Sequence, residues 1–280
     1  MPKISVITPV HNAAHFIRRA VDSVLSQGYG DIEVIIVDDG STDDLKEALA
    51  AYSGDGRVRC LRTEKGGVSH AVNKGMEASS GDYLAVLHAD DIFRPGRIKR
   101  QVELMEKNPG YGVSYTNESY FLEGGKRVIE SPYFHFGGDI FYFLKRNNFI
   151  HISSAMFRRQ VLGREMLDER LKCHEDWDLF LRLSARGVRF LYIDEVLTDI
   201  CVHPKSLTSD TALMDSTRHE VGMRAKRLWR DFKLTMGLTS PGGLLSIKRY
   251  LAFKISAVLA GFPYSSRYNR GTPTGILNLR

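Results

Sequence analysis

Cysteine is scarce. Only Cys60, Cys173 and Cys201 occur in 280 residues, far apart and odd in number. That supports neither a disulfide framework nor a paired-cysteine zinc site, and it suits a reducing, cytoplasmic compartment. A chain of this length buries a full core without such staples. Long apolar runs are also missing. A spanning helix needs roughly 18 or more apolar residues, and the longest tract here, 244–262, is broken by Lys248, Arg249 and Lys254. The opening MPKISVITPVHN has no basic stretch followed by a long apolar one, so it does not read as a secretory signal. No phosphate-binding P-loop, dinucleotide glycine fingerprint, nucleophile elbow or paired-histidine zinc motif is present.

What is present is an ordinary globular mixture, 43% hydrophobic and 26% charged. The net charge of +6 is unevenly placed. Residues 201–280 carry 13 Lys and Arg against 4 Asp and Glu, whereas the first 200 carry 26 against 29. A basic amphipathic helix over 240–262 can lie on an anionic membrane surface. It can equally pack its apolar face on the protein or on a second copy in a homo-oligomer. No nucleic-acid motif accompanies the charge, so nucleic acid is set aside as a partner.

Short apolar strands alternate with helices along the first 107 residues. Strands are expected at 4–9, 33–37, 57–62 and 82–88, and helices at 13–28, 42–52, 68–78 and 97–107. Alternation of this kind implies an α/β fold with a mixed, mostly parallel sheet flanked by helices. The middle reads as more antiparallel, with a turn at 123–126, a strand at 152–157, a helix from 174 to 186 and a late strand at 188–193. Helices at 212–233 and 243–260 form a C-terminal extension. The expected division is a catalytic domain over 1–210 and a basic helical extension over 211–280.

In such sheets ligands bind beyond the carboxyl ends of the strands. Three polar clusters fall there: Thr8–Asn12, Asp38–Ser41 and His88–Asp91. Adjacent carboxylates such as Asp90 and Asp91 repel, and a divalent cation such as Mg2+ or Mn2+ relieves the repulsion; a solvated turn is the plainer alternative. Asp38 and Asp39 can accept from a nucleobase or ribose, or simply shape a turn. Glu175 and Asp176 open a helix, where an acid favours the helix dipole and where a distant general base could also sit.

These pieces, in this order, resemble glycosyltransferase family 2 and its GT-A fold. Ile4–Asn12 is similar to that family's opening strand, and VIIVDDGSTD over 34–43 to its nucleotide-binding segment. Residues 67–84 resemble the helix and strand leading to the metal-binding acidic motif. Ser154–Leu162 and His174–Leu179 resemble the acceptor-side segment. The resemblance spans about residues 2–209. It implies an inverting enzyme that moves a sugar from a nucleotide-diphosphate donor, UDP-linked by preference, to a hydroxyl of a glycan or lipid-linked acceptor in surface-polysaccharide synthesis. Thr8, Pro9, Asn12, Asp38, Asp39 and Asn73 would then line the nucleotide side. Asp90, Asp91 and His203 would hold Mn2+ or Mg2+, with Asp90 also near the sugar diphosphate. Asp176 would be the general base and Glu175 would contact acceptor or sugar. Two positions depart from the pattern: His88 stands where the family often has Asp, and Val72 where it often has Arg. A catalytically silent relative that binds nucleotide or glycan within an assembly complex is the alternative reading. Peripheral attachment to the cytoplasmic membrane face would come through 240–262.

Overall fold

Val and Ile dominate the first strands, and every residue of β1 (Ile4–Val10), β2 (Ile32–Asp39) and β4 (Tyr83–Val86) is buried. Continuous apolar runs of this kind suit a sheet covered on both faces. In this computed structural model, which describes residues 1–123, 127–131, 135–204, 206 and 209–235, they form the centre of a nine-stranded sheet. The remaining strands are β3 (Val58–Thr63), β5 (Ile92–Phe93), β6 (Val113–Leu122), β7 (Arg127–Glu130), β8 (Ala155–Arg158) and β9 (Phe190–Val202). The helices are α1 (Ala14–Leu25), α2 (Leu45–Leu49), α3 (Val68–Ala78), α4 (Arg97–Lys107), α5 (Phe141–Leu144), α6 (Arg159–Leu162), α7 (Glu175–Ala185) and α8 (Thr211–Thr235).

The order across the sheet is β3-β2-β1-β4-β8-β6-β9-β5, with β7 added to β6. β1, β2, β3 and β4 pair in parallel, as the alternating pattern requires. β8 enters antiparallel between β4 and β6, and β9 returns parallel to β6. The sheet is therefore mixed as expected, with its parallel run concentrated in the first half. Because β8 runs opposite to its neighbours, its first residue lies at the same edge as the carboxyl ends of β1, β2 and β4.

Helices α3 and α4 have the bounds read from the sequence. α1 buries Phe16, Ile17, Ala20, Val21 and Val24 against the sheet, each large aliphatic or aromatic group worth about 1.5–3 kcal/mol when withdrawn from water. Gly75 is what lets α3 lie close on β1. A Cβ there would sit 2.3 Å from Ile7 Cγ2, and Ile7 is fully buried. Two local expectations change. Asn12, an N-cap type of residue just ahead of the first helical repeat, does not cap α1; its side chain turns to Thr42, and the Ala14 amide is capped across the fold by Asp43 at 2.9 Å. The strand expected at 152–157 is a short 3-10 turn over Ile152–Ser154 followed by β8, since His151 accepts the Ser153 amide and tightens the chain.

The chain divides into two compact units, Met1–Ala225 and Lys226–Arg280. The first extends past residue 210 because the start of α8 packs into it. Val221 and Ala225 are fully buried, and Arg224 binds Asp168 at 2.7 Å and Asp178 at 3.2 Å. Of the second unit the structure describes 226–235, the end of α8. The helix expected at 243–260, and with it the basic face over 240–262, lies outside the described residues. Among the described residues no helix is long and apolar enough to cross a membrane.

Candidate active site

The three polar clusters do meet at one edge. At the end of β1, His11 Nδ1 lies 2.8 Å from the Asp39 carbonyl oxygen, and the Asn12 amide donates to Ser41 Oγ at 3.1 Å. Asn12 adopts a left-handed backbone, φ 50°, a conformation that Asn tolerates better than most side chains. Its Oδ1 accepts from the Thr42 amide at 2.8 Å, locking the β1 end to the β2 end. Thr8 is fully buried and Pro9 is buried within the strand.

Both aspartates that end β2 are engaged within the protein. Asp38 accepts from the Ser41 amide at 2.7 Å and from Arg62 Nη1 at 2.6 Å. Asp39 takes the amides of Gly66 and Gly67, at 2.7 and 2.8 Å, one on each carboxylate oxygen. Gly67 presents its amide from φ 95°, which a side chain would strain. Asn73 on α3 is likewise fully used, bonding the Leu167 amide and carbonyl and Glu169 Oε1, each at 2.9 Å. Val72 is a fully buried core residue. Beside it, His70 faces Glu169 at 3.1 Å and Lys74 faces Glu77 at 3.0 Å.

The turn after β4 carries two differently partnered acids. Asp90 Oδ2 lies 3.0 Å from His203 Nε2, so β4 and β9 bring together two residues 113 positions apart. Phe16 packs on the His203 ring at 5.0 Å between centroids. Asp91 is 2% exposed. Its Oδ1 accepts the Cys201 amide at 3.0 Å, while Oδ2 has no hydrogen-bond partner among the described residues. Oδ2 faces His151 Nδ1 at 3.9 Å and His88 Nδ1 at 4.0 Å. Burial and the neighbouring Asp90 charge both push the Asp91 carboxyl above the usual carboxylate range. Burial pushes His151 down to about 4 and lowers His88 as well, so both rings are neutral at pH 7.

Glu175 and Asp176 begin α7. His174 precedes them at φ 60°, a strained conformation for a histidine. The indole nitrogen of Trp177 donates to the Leu144 carbonyl at 2.7 Å, fixing the helix start against α5. Asp176 Oδ2 accepts from Asn148 at 3.2 Å and Oδ1 from the Trp177 amide at 2.6 Å. Burial drives the Asp176 pKa up, and these bonds, with one from the Ile152 amide, only partly offset it. Glu175 is raised by burial and by the charge of Asp176. Two adjacent acids of this kind share protons as a pair.

Residues 148–153 link the two acidic sites. Asn148 and Ile152 hold Asp176, His151 faces Asp91, and Ser153 Oγ accepts the His88 amide at 3.2 Å. Neither Asn148 nor His151 was singled out from the sequence. The stretch NNFIHISS has no spacing rule that marks it, although its crowding of amide, imidazole and hydroxyl groups just before a strand was visible. Two further buried groups were also missed. Glu118 on β6 is 1% exposed and burial raises it to about 7. Arg97 on α4 is fully buried, lies 3.6 Å over the Phe93 ring and donates to Gln101.

The residues fit a divalent cation. Carboxylate and imidazole donors converge, and the buried atoms Asp91 Oδ2 and His88 Nε2 have no protein partner among the described residues. Acids from three parts of the chain thus gather at the carboxyl edge of a half-parallel sheet, the edge at which ligands bind in open α/β sheets.

Comparison with known proteins gives the family. The family model for glycosyl transferase family 2 matches residues 5–166. An uncharacterized glycosyltransferase of Rickettsia typhi, RT0329, is 33% identical over 255 residues, covering 84% of this chain and 73% of its own. Two other Rickettsia relatives, from R. felis and R. bellii, are longer, and the chain spans 36% and 27% of them. The putative teichuronic acid biosynthesis glycosyltransferase TuaG of Bacillus subtilis is 29% identical, covering 75% and 82%. Among solved structures, Staphylococcus aureus TarS in complex with UDP-GlcNAc aligns at TM-score 0.63 and 18% identity, covering 82% and 71%. Mannosyltransferase PcManGT of Pyrobaculum calidifontis, with GDP-Man and Mn2+, aligns at 0.63 and 19%, covering 94% and 76%. The chain belongs to glycosyltransferase family 2 and has the GT-A fold.

Proposed function

We propose that the protein transfers a sugar from a nucleotide-diphosphate donor, UDP-linked by preference, to a hydroxyl of a glycan or lipid-linked acceptor in surface-polysaccharide synthesis. The teichuronic acid relative and the UDP-GlcNAc complex of TarS support acceptor class and donor. The observation that carries the chemistry is Asp176: a half-buried carboxyl, raised by burial, at a helix start tied through 148–153 to the acidic turn after β4. A base poised near neutral pH removes the acceptor proton as the hydroxyl attacks. A single attack of that kind inverts the anomeric centre, and in this reading Glu175 contacts acceptor or sugar.

On the donor side, Thr8, Pro9, Asn12 and Asn73 shape the nucleotide pocket. Asp38 and Asp39 meet base and ribose through the lone pairs their internal bonds leave, since each carboxylate oxygen accepts more than one hydrogen bond. Asp90, Asp91 and His203 would hold Mn2+ or Mg2+, which when bound would stabilise the charge of the departing diphosphate. The work is cytosolic in this reading, with residues 240–262 resting on the membrane face.

The test is Asp176→Asn, assayed for sugar transfer and for nucleotide binding, with the product anomer read by NMR. Loss of transfer with nucleotide binding retained supports the base. Transfer at the wild-type rate removes it. His88, standing where a carboxylate is common, favours a second reading as a silent binding partner. Thermal stabilisation by UDP, GDP, dTDP and CMP, each with Mn2+, Mg2+ or EDTA, separates the two. A metal-dependent shift with one nucleotide favours the enzyme; no shift with any favours the silent relative.

A further inference from the structure

We infer that Asn148 is the positioning residue for the general base: its side-chain amide holds Asp176 Oδ2 in place as the oxygen that takes the acceptor's proton. The inference rests on the proposed role of Asp176 as base. What carries it is the way the amide is oriented. The Ile150 amide donates to Asn148 Oδ1 at 3.2 Å, so the oxygen end of the side chain is committed to its own turn. The nitrogen end is thereby left to Asp176, where Nδ2 donates to Oδ2 at 3.2 Å. Next to it, Arg218 of α8 donates to Asn147 Oδ1 at 2.8 Å and pins the same turn from outside.

The two carboxylate oxygens are unequally placed. Oδ1 takes the Trp177 amide at 2.6 Å, a main-chain bond set by the helix start. Oδ2 has a side chain as donor, and a carboxylate oxygen accepts more than one hydrogen bond, so a lone pair remains for the acceptor hydroxyl. The Ile152 amide adds a further main-chain bond to the group. Among the described residues no Lys, Arg or His offsets the Asp176 charge, and Asn148 is the one side chain that donates to it. The titratable groups that meet that charge are Glu175 beside it and the Cys173 thiol, both acidic. Burial raises the carboxyl and Asn148 pulls the other way, because a donor aimed at the charged form favours that form. Asn148 thus fixes which oxygen receives the proton and helps set the pH at which it is free to do so.

The experiment measures kcat against pH for the wild type, Asn148→Ala and Asn148→Asp, with donor KM and the nucleotide-induced melting shift alongside. Carbon-13 NMR follows the Asp176 carboxyl without substrate, its signal assigned by its absence from Asp176→Asn. Asn148→Asp keeps an acceptor for the Ile150 amide and replaces only the donor, by a second carboxylate, so the turn is spared. The acid limb of kcat and the carboxyl titration should both move to higher pH, by about one unit or more in Asn148→Asp and by a smaller step in Asn148→Ala. Donor KM and the nucleotide shift should stay as in the wild type. A purely structural role would lower the melting temperature and leave both midpoints in place. Unchanged midpoints in Asn148→Asp overturn the inference, and that variant decides the matter if Asn148→Ala fails to fold by circular dichroism. Failure of the base reading looks different: Asp176→Asn then transfers sugar at the wild-type rate, and the inference falls with it whatever the carboxyl titration shows.

Discussion

Glu33 and Glu118 are buried glutamates in one sheet, and they titrate in opposite directions. Glu33 lies at the amino edge, near the start of β2. Burial pushes its carboxyl up, but Ser5 Oγ at 2.6 Å, the Ser80 amide at 2.7 Å and Lys3 pull it down to about 2. Glu118 lies beyond the end of β4, toward the carboxyl edge. It has Ser131 Oγ at 2.9 Å on one oxygen, and its Oε2 has no partner among the described residues. Burial then dominates and raises it to about 7. The contrast extends to further acids beyond the end of β4, but not to Asp38 and Asp39, which have dedicated donors at the carboxyl edge. At the amino edge a charge is stabilised by dedicated donors. At the carboxyl edge Asp91, Glu118, Glu175 and Asp176 are all raised by burial. One edge contributes stability, and the other holds groups whose charge a ligand or substrate can use.

The comparison is broken or sharpened first at Asp176. Asp176→Asn should lower kcat by about 10²–10⁴-fold, the range for removal of a general base, while leaving the melting temperature at pH 8 unchanged or higher. A large drop in stability with little loss of rate would make this residue part of the scaffold and erase the distinction between the edges.

Glu33→Gln should do the reverse. A carboxyl lowered from 4.5 to about 2 contributes stability that is present above pH 4.5 and lost as the pH falls toward 2. The variant should therefore lose about 3 kcal/mol at pH 7 by denaturant unfolding, with the gap closing at acid pH. For Glu118 the sign inverts. A carboxyl raised from 4.5 to about 7 favours the fold at low pH and loses that contribution as the pH rises through 7. Glu118→Gln should match the wild type near pH 4 and exceed it by up to about 3 kcal/mol at pH 8. Parallel pH profiles for the two variants would show that position in the sheet does not set the titration.

Gly75→Ala tests the scaffold by sterics alone. Its new Cβ must displace Ile7 or lift α3 from β1, at a cost of about 1–3 kcal/mol in urea unfolding.

The amino half of the sheet was legible because its signals are local. Unbroken Val and Ile runs, glycine and aspartate stops and helical spacing gave α3 and α4 to the residue, and they brought three polar clusters to one edge. Asp90 and His203 were named together, with Asp91, as metal ligands through the family resemblance rather than through any pattern of spacing, and they lie 3.0 Å apart although 113 positions separate them. What stayed hidden depends on long-range packing. β8 runs antiparallel between β4 and β6, and only that reversal carries His151 to Asp91 and Asn148 to Asp176. Nor could the sequence tell that Asp39 and Asn73 would spend their hydrogen bonds on Gly66, Gly67 and the 167–169 segment.

Asp38 is the residue on which the comparison is finest, since it stands at the carboxyl edge yet has partners on both oxygens. Its ion pair is with Arg62, whose side chain is 65% exposed, and exposed partners of this kind are worth about 1 kcal/mol or less. Asp38→Asn keeps an acceptor for the Ser41 amide and removes only the charge facing Arg62. It should therefore cost under about 1 kcal/mol in unfolding while weakening nucleotide binding several-fold in a calorimetric titration. If stability falls by much more and nucleotide binding is untouched, Asp38 belongs with Glu33 as scaffold, and the ligand-facing edge begins only at the turn after β4.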